Sequence, residues 1–291
     1  MCGGPSADIL ATAKCLNALG ADIQQTAPDR FSVRPIAAAP GAPAQLACGE
    51  SGSTLRFLLP LVGALGAEGA FVMEGRLPQR PLAPFDTVLK ERGMTLEQAG
   101  SLLRCGGQLR PGDYTLPGDV SSQYISGLLM ALPRLAGDST LTVTGHMESA
   151  GYVAMTEDAL RLSGIRFTRE GQSWRIPGGQ RFAPLPMEQE GDWSAAAYWL
   201  ALAALGQGIT VTGLRQDSRQ GDRRALTLCR ELPQQVSLRE NPDLLPPLAL
   251  LAALRSDKEI RFTDAARLRH KESDRLAATA ALLTALGGRV Q

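Results

Sequence analysis

Apolar and polar positions along the chain recur in one phrase: an amphipathic helix that closes on a small turn and runs into a short strand. It reads across residues 7–23, 85–96 and 156–167, and again across 223–236 and 273–290. In all but the fourth copy a glycine (Gly20, Gly93, Gly164 or Gly287) follows the helix, where a left-handed backbone is wanted. The first three copies lie about 70 residues apart, too far for a thin solenoid and suited to a compact unit of two helices and several strands. The pattern predicts a repeated mixed α/β module.

A second helix fits within each unit. Residues 52–65, 121–132, 194–205 and 246–254 begin with small or capping residues and then become strongly apolar, as helices buried on most sides do. Short strands are expected at 31–36, 71–75, 102–105, 140–144, 174–177, 209–212 and 259–263, where β-branched or aromatic residues are bounded by glycine or proline. The pattern breaks at 177–190, a stretch that opens with Pro-Gly-Gly-Gln-Arg-Phe-Ala-Pro-Leu-Pro. A domain boundary belongs there, giving a first domain over 1–180 and a partial second over 190–291. The first unit reads as lacking its opening and the last as lacking its final part.

Composition narrows the function classes. Hydrophobic residues make up 44% and charged residues 20% of 291, a globular composition. The net charge of +1 gives no overall field toward nucleic acid or anionic lipid, so any anion site must be local. Cys2, Cys15, Cys48, Cys105 and Cys229 are odd in number and scattered, which reads as free thiols in a reducing compartment. With only His146 and His270 available, no metal site is expected. The start lacks a signal-peptide pattern and no apolar stretch is long enough to span a bilayer, so the expected location is cytoplasmic.

Candidate chemistry concentrates in a few stretches. Arg269-His-Lys-Glu-Ser-Asp-Arg275 precedes an alanine-rich helix that Ser273 could cap, putting cations and carboxylates near a helix's positive end. A charged turn in solvent would look the same, yet the composition suits anion binding combined with proton transfer. Ser51-Gly-Ser-Thr-Leu-Arg56 and Gly118-Asp-Val-Ser-Ser-Gln123 both place small polar groups at inner-helix starts. Gly75-Arg-Leu-Pro-Gln-Arg-Pro81 offers two arginines on a proline-stiffened loop. Ser149 and Tyr152 come after a strand and could close over a polar ligand, while Asp243 in Asn-Pro-Asp reads first as a helix cap. No Gly-x-Ser-x-Gly elbow, nucleotide phosphate loop or dinucleotide fingerprint occurs, so no nucleotide cofactor is indicated.

Taken together, Ser51 to Arg56, Arg80-Pro81, Gly118 to Gln123, Ser149 with Tyr152, Pro242-Asp243 and Leu268 to Arg275 resemble the 5-enolpyruvylshikimate-3-phosphate synthases, also called 3-phosphoshikimate 1-carboxyvinyltransferases. The Lys-Glu-Ser-Asp-Arg and Ser-Ser-Gln runs are the specific ones. They separate the chain from the sister family acting on UDP-N-acetylglucosamine, whose usual cysteine has no counterpart between Gly75 and Pro81. The resemblance implies two domains of repeated βαβαββ-type units, with inner-helix N-termini facing an interdomain cleft. It also implies transfer of the enolpyruvyl group from phosphoenolpyruvate to the 5-hydroxyl of shikimate 3-phosphate, in the shikimate pathway to chorismate and aromatic amino acids, with no metal or organic cofactor.

Carried over by position, Ser121, Ser122 and Ser149 should hold the phosphate of shikimate 3-phosphate, and Tyr152, Asp243 and Lys271 its shikimate portion. Gly52, Arg80, Gln123 and Arg275 should hold phosphoenolpyruvate. Asp243 is the implied base for the 5-hydroxyl and Glu272 the implied proton donor to the methylene carbon. The family also carries a Lys-Ser-x-x-x-Arg segment before the region this chain matches, and an Asp-His-Arg-Met segment and a lysine after it. Losing one charged partner in a buried anion site can cost about 2–5 kcal/mol. Taken alone, the chain is therefore expected to be inactive or impaired. The competing expectation is a noncatalytic or split module that binds shikimate 3-phosphate and needs a partner chain.

Overall fold

The computed structural model describes residues 4–184, 189–255 and 259–290. Cys2 lies outside them, as do part of the 177–190 break and the side chain of His270. The elements run in chain order as α1 (Ala7–Ala18), β1 (Asp22–Ala27), β2 (Arg30–Arg34), β3 (Ala44–Gly49), α2 (Gly52–Leu65), β4 (Gly69–Met73), α3 (Phe85–Glu91), β5 (Met94–Ala99) and β6 (Leu102–Gly107). Next come β7 (Gly112–Pro117), α4 (Ser122–Ala131), β8 (Ser139–Thr144), α5 (Ala150–Leu162), β9 (Thr168–Glu170) and β10 (Ser173–Ile176). The remainder is α6 (Trp193–Ala204), α7 (Ala225–Arg230), β11 (Gln235–Ser237), α8 (Leu245–Arg255), β12 (Arg261–Thr263) and α9 (Arg275–Ala285).

The repeat predicted from the apolar pattern is explicit in the sheets. One has strand order β3-β4-β6-β5 and another β7-β8-β10-β9, and in each the first pair is parallel and the others antiparallel. A helix makes each parallel crossover, as that connection requires. These are two complete βαβαββ units. The α1-β1-β2 stretch matches the end of such a unit, and β11-α8-β12-α9, with β11 and β12 parallel, matches the beginning of one. Gly20, Gly93, Gly164 and Gly287 all have positive φ.

The strands at 44–49 and 112–117 were not among those expected. Ala44–Gly49 is built mostly of small residues, and in Gly112–Pro117 the strand formers Tyr114 and Thr115 are flanked by Gly112, Asp113 and Pro117, so the strand signature is weak in both. Their alternating burial shows what a sheet face does for them once formed. Conversely, residues 209–212, where a strand was expected, join no ladder among the described residues.

The chain divides into two compact units, one comprising 1–147 with 156–184 and the other 148–155 with 185–291. The 148–155 segment, which holds the start of α5, thus groups with the later part of the sequence. In the first unit the apolar inner faces of the two sheets are capped by α2 and α4. Leu46, Phe71, Leu103, Leu55, Leu59 and Val62 are buried around α2, and Tyr114, Leu141, Trp174, Ile125 and Leu128 around α4. Buried Glu157 on α5 accepts from Trp174 Nε1 at 2.7 Å and pairs with Arg169 at 2.8 Å, so its charge is compensated inside the core. In the second unit α6, α7 and α8 bury Ala197, Ala201, Leu228, Leu248 and Leu251 against Val236, Leu238 and Leu268.

The inner helices α2 and α4 approach closely at Gly127. A Cβ there would lie 2.4 Å from the Arg56 carbonyl oxygen and 3.3 Å from Pro60 Cγ. Replacing a helical glycine by alanine ordinarily gains about 1 kcal/mol. Here the added methyl meets backbone, and overpacking of this kind costs about 1–3 kcal/mol. Gly127→Ala is therefore expected to lower the denaturant midpoint; an unchanged or higher midpoint would show that the helices can part freely.

Candidate functional site

The first unit gathers its anion-binding groups at the starts of α2 and α4. Ser51 caps α2, its hydroxyl accepting from Thr54 N at 3.2 Å, and leaves Gly52 as the first helical residue. The space a side chain would take at Gly52 is filled by guanidinium groups: a Cβ would lie 2.7 Å from both Arg56 Nη1 and Arg80 Nη1. Arg56 is buried and donates to Gln123 Oε1 at 2.7 Å, joining the two helix starts. Its guanidinium carbon lies 5.6 Å from the centre of the Tyr124 ring, within cation–π range.

Tyr124 stacks on Phe85 at 4.5 Å between centroids and donates to the Pro81 carbonyl at 2.7 Å. That bond ties the arginine loop next to Arg80. Burial raises the Tyr124 phenol above its ordinary range, with the Arg56 and Arg80 charges opposing the rise, so it stays a donor. Ser121 caps α4, accepting from Gln123 N at 3.3 Å, and Ser122 is the first residue of that helix. Two cations, two serine hydroxyls and two helix N-termini are arrangements that favour phosphate or carboxylate.

The second unit holds the acid–base groups. Asp243 lies in a short 3-10 turn before α8, with Asn241 preceding the turn and no side-chain cap bond. The cap reading of Asp243 therefore gives way to another one. Its Oδ1 pairs with Arg275 and its Oδ2 accepts from the Tyr152 hydroxyl at 3.0 Å. Arg275 also reaches Glu272 at 3.1 Å, so one guanidinium joins two carboxylates. Asp243 is about one quarter exposed and Glu272 nearly half, at 26% and 44%.

Asp274, rather than Ser273, caps α9, accepting from Ala277 N at 3.0 Å. An aspartate placed there also meets the helix's positive end, and that backbone bond lowers its pKa. Ser273 is exposed.

Burial pushes the Lys271 amine below the usual lysine range, helped by Arg275 and Arg267, while Asp243 and Glu272 hold it up. Burial likewise works against charge on Arg275, but Asp243 and Glu272 outweigh it. Tyr152 is raised by burial and then by its two aspartate neighbours, Asp243 and Asp222. Ser149, buried and at φ 55°, accepts from Arg267 Nη2 at 2.9 Å, and Arg267 pairs with Glu148 at 2.9 Å.

The structure thus gathers Gly52, Arg80, Ser121, Ser122 and Gln123 on the first unit and Ser149, Tyr152, Asp243, Lys271, Glu272 and Arg275 on the second. Sequence reasoning missed Asp222, Ser194 and Arg267. Arg56 was visible only as an arginine one turn into its helix. The Asp222 contacts reach across 19, 28 and 70 residues, and no local pattern announces them. Among the described residues no three His, Cys, Asp or Glu side chains cluster as metal ligands. Among them, too, no helix is long and apolar enough to cross a membrane.

A family profile described as EPSP synthase (3-phosphoshikimate 1-carboxyvinyltransferase) matches residues 5–232 and 229–291. The chain is similar to the 3-phosphoshikimate 1-carboxyvinyltransferase of Clostridium kluyveri, with 38% identity across 98% of this chain and 72% of that protein. The protein of the same name from Clostridium acetobutylicum is 35% identical over the same shares. Among solved structures, EPSP synthase from Acinetobacter baumannii matches with a TM-score of 0.66 and 21% identity, over 94% of this chain and 69% of that one, which supports the fold. On the strength of the profile and the sequence relatives, this chain belongs to the EPSP synthase family.

Proposed function

We propose that the residues of this chain serve the carboxyvinyl transfer after which its family is named, from phosphoenolpyruvate to the 5-hydroxyl of shikimate 3-phosphate. The observation that carries the reading is the pair of carboxylates, Asp243 and Glu272, bridged by Arg275. Asp243, paired with a guanidinium, suits a base that takes the hydroxyl proton as the new C–O bond forms. Glu272, the more exposed of the two, suits a donor to the methylene carbon of phosphoenolpyruvate. That protonation builds positive charge at the adjacent carbon, which a nearby carboxylate stabilises. Loss of phosphate, which carries away the proton taken up by Asp243, and return of a methyl proton to Glu272 then complete the exchange.

In this reading Arg80, Gly52, Gln123 and Arg275 bind phosphoenolpyruvate. Ser121, Ser122 and Ser149 bind the phosphate of shikimate 3-phosphate, and Tyr152 and Lys271 its ring substituents. The first unit is then mainly a phosphate-binding domain, and the second carries the acid–base residues. A cytoplasmic setting belongs to the same proposal. It is supported by the buried thiols Cys15, Cys48, Cys105 and Cys229, which burial raises to about 11, 12, 12 and 11.

Phosphate release from the two substrates together, and from neither alone, is the direct test. Asp243→Asn and Glu272→Gln are each expected to slow it by about 10²–10⁴; retention of the full rate by either variant would remove that residue from its role. Lys271 supplies a second check. Because its pKa lies below that of an ordinary lysine, about 10.4, its labelling by an amine reagent should rise with pH and level off early. Shikimate 3-phosphate should restore the charged form and suppress labelling. A Lys271 that levels off with exposed lysines, or stays unprotected, contradicts the assignment.

A further inference from the structure

Asp222 is a buried carboxylate to which the carboxyvinyl transfer gives no task. It sits in the 3-10 turn before α7 with 3% of its surface exposed. Its Oδ2 accepts from the Ser194 hydroxyl in the first turn of α6, and its Oδ1 accepts from Asn241 Nδ2 at 3.1 Å. The Tyr152 hydroxyl lies 3.4 Å from Asp222 Oδ2 and 3.0 Å from Asp243 Oδ2. A phenol carries one proton. Two carboxylates compete for it, and the shorter separation favours Asp243.

The surroundings make the second carboxylate unfavourable unless it has a use. Burial pushes Asp222 above the ordinary carboxylate range. Ser194 and Asn241 donate against that rise, while Asp243 and Asp192 add to it. Asp243 in turn faces Tyr152, Arg275 and Lys271. An asparagine at 222 could satisfy Ser194 and Asn241 equally well, accepting from one and donating to the other. What the carboxylate adds is a second acceptor for the Tyr152 proton.

Resting on the assignment of Asp243 as base, we propose that Asp222 is a positioning residue for the proton transfer: it steadies the Tyr152 hydroxyl beside Asp243 and accepts that hydroxyl's hydrogen bond once Asp243 has taken the substrate's proton. The substrate O–H bond breaks, its proton passes to Asp243 Oδ2, and the electron pair stays with the attacking oxygen. A protonated Oδ2 becomes a donor to the phenol oxygen, and the phenol O–H turns to Asp222. No other bond changes.

Asp222→Asn keeps the side chain's shape and removes its charge. Its kcat is expected to fall about tenfold or more, with KM for shikimate 3-phosphate within about twofold of the parent. Losing a nearby negative charge also lets Asp243 ionise more readily. The Asp243 carboxyl titration, followed by carbon-13 NMR and assigned with Asp243→Asn, should move down by about half a pH unit or more. The NMR measurement needs no turnover. An unmoved Asp243 titration, an unchanged kcat or a loss confined to KM overturns the proposal. Should Asp222→Asn fail to fold, Ser194→Ala withdraws one donor from Asp222 and should shift Asp243 in the same direction; no shift overturns the proposal equally. Failure of the underlying reading is distinguishable, because Asp243→Asn would then keep its kcat.

Discussion

The close approach of α2 and α4 at Gly127 is the constraint on which the first unit depends. With no side chain between the Gly127 backbone and the Arg56 carbonyl, the two helices come near enough for Arg56 to reach Gln123. That single bond joins the starts of helices that close two separate sheets. The same approach brings the Arg56 guanidinium toward the Tyr124 ring, and Tyr124 holds the arginine loop by its bond to Pro81. A packing requirement deep in the unit thus sets where charge stands at its helix termini.

In the second unit the organising interaction is electrostatic. Asp243 is neutralised by Arg275 and hydrogen-bonded by Tyr152, and Arg275 is shared with Glu272. Each partner limits the others: the carboxylates keep the half-buried guanidinium charged, and the guanidinium fixes both carboxylates in place. Lys271 stands among the same charges with a lowered pKa, so an arriving anion would strengthen its hold on its proton. Buried charges tolerate such a site only when paired and hydrogen-bonded, and the structure meets that condition through residues from α5, α6 and the turns before α7 and α8.

Much of this was legible in the residues. The inner helices announce themselves through long apolar runs behind small residues, and α2 begins and ends at the residues its pattern implies, Gly52 and Leu65. Strand β3 escaped because its alanines and glycine carry little strand preference, and β7 because Gly112, Asp113 and Pro117 mask Tyr114 and Thr115; pairing to β4 and β8 makes them strands. The charged run at Arg269 to Arg275 stood out by composition, but a local reading chose Ser273 as the cap where the fold uses Asp274. Asp243 suffered the same bias: a short-range role was the natural one to infer, and its actual partners lie 32 and 91 residues away.

What the sequence by itself determined is periodicity, the repeated module and the few motifs whose residues are neighbours in the chain. These are local properties, set by helix and strand spacing and by the chemistry of adjacent side chains. Only the tertiary structure decided which charges meet. It put Arg56 against Gln123, Arg275 against Asp243, and one phenol between Asp222 and Asp243. Such contacts depend on how helices and turns pack, and packing joins residues whose separation along the chain carries no signal.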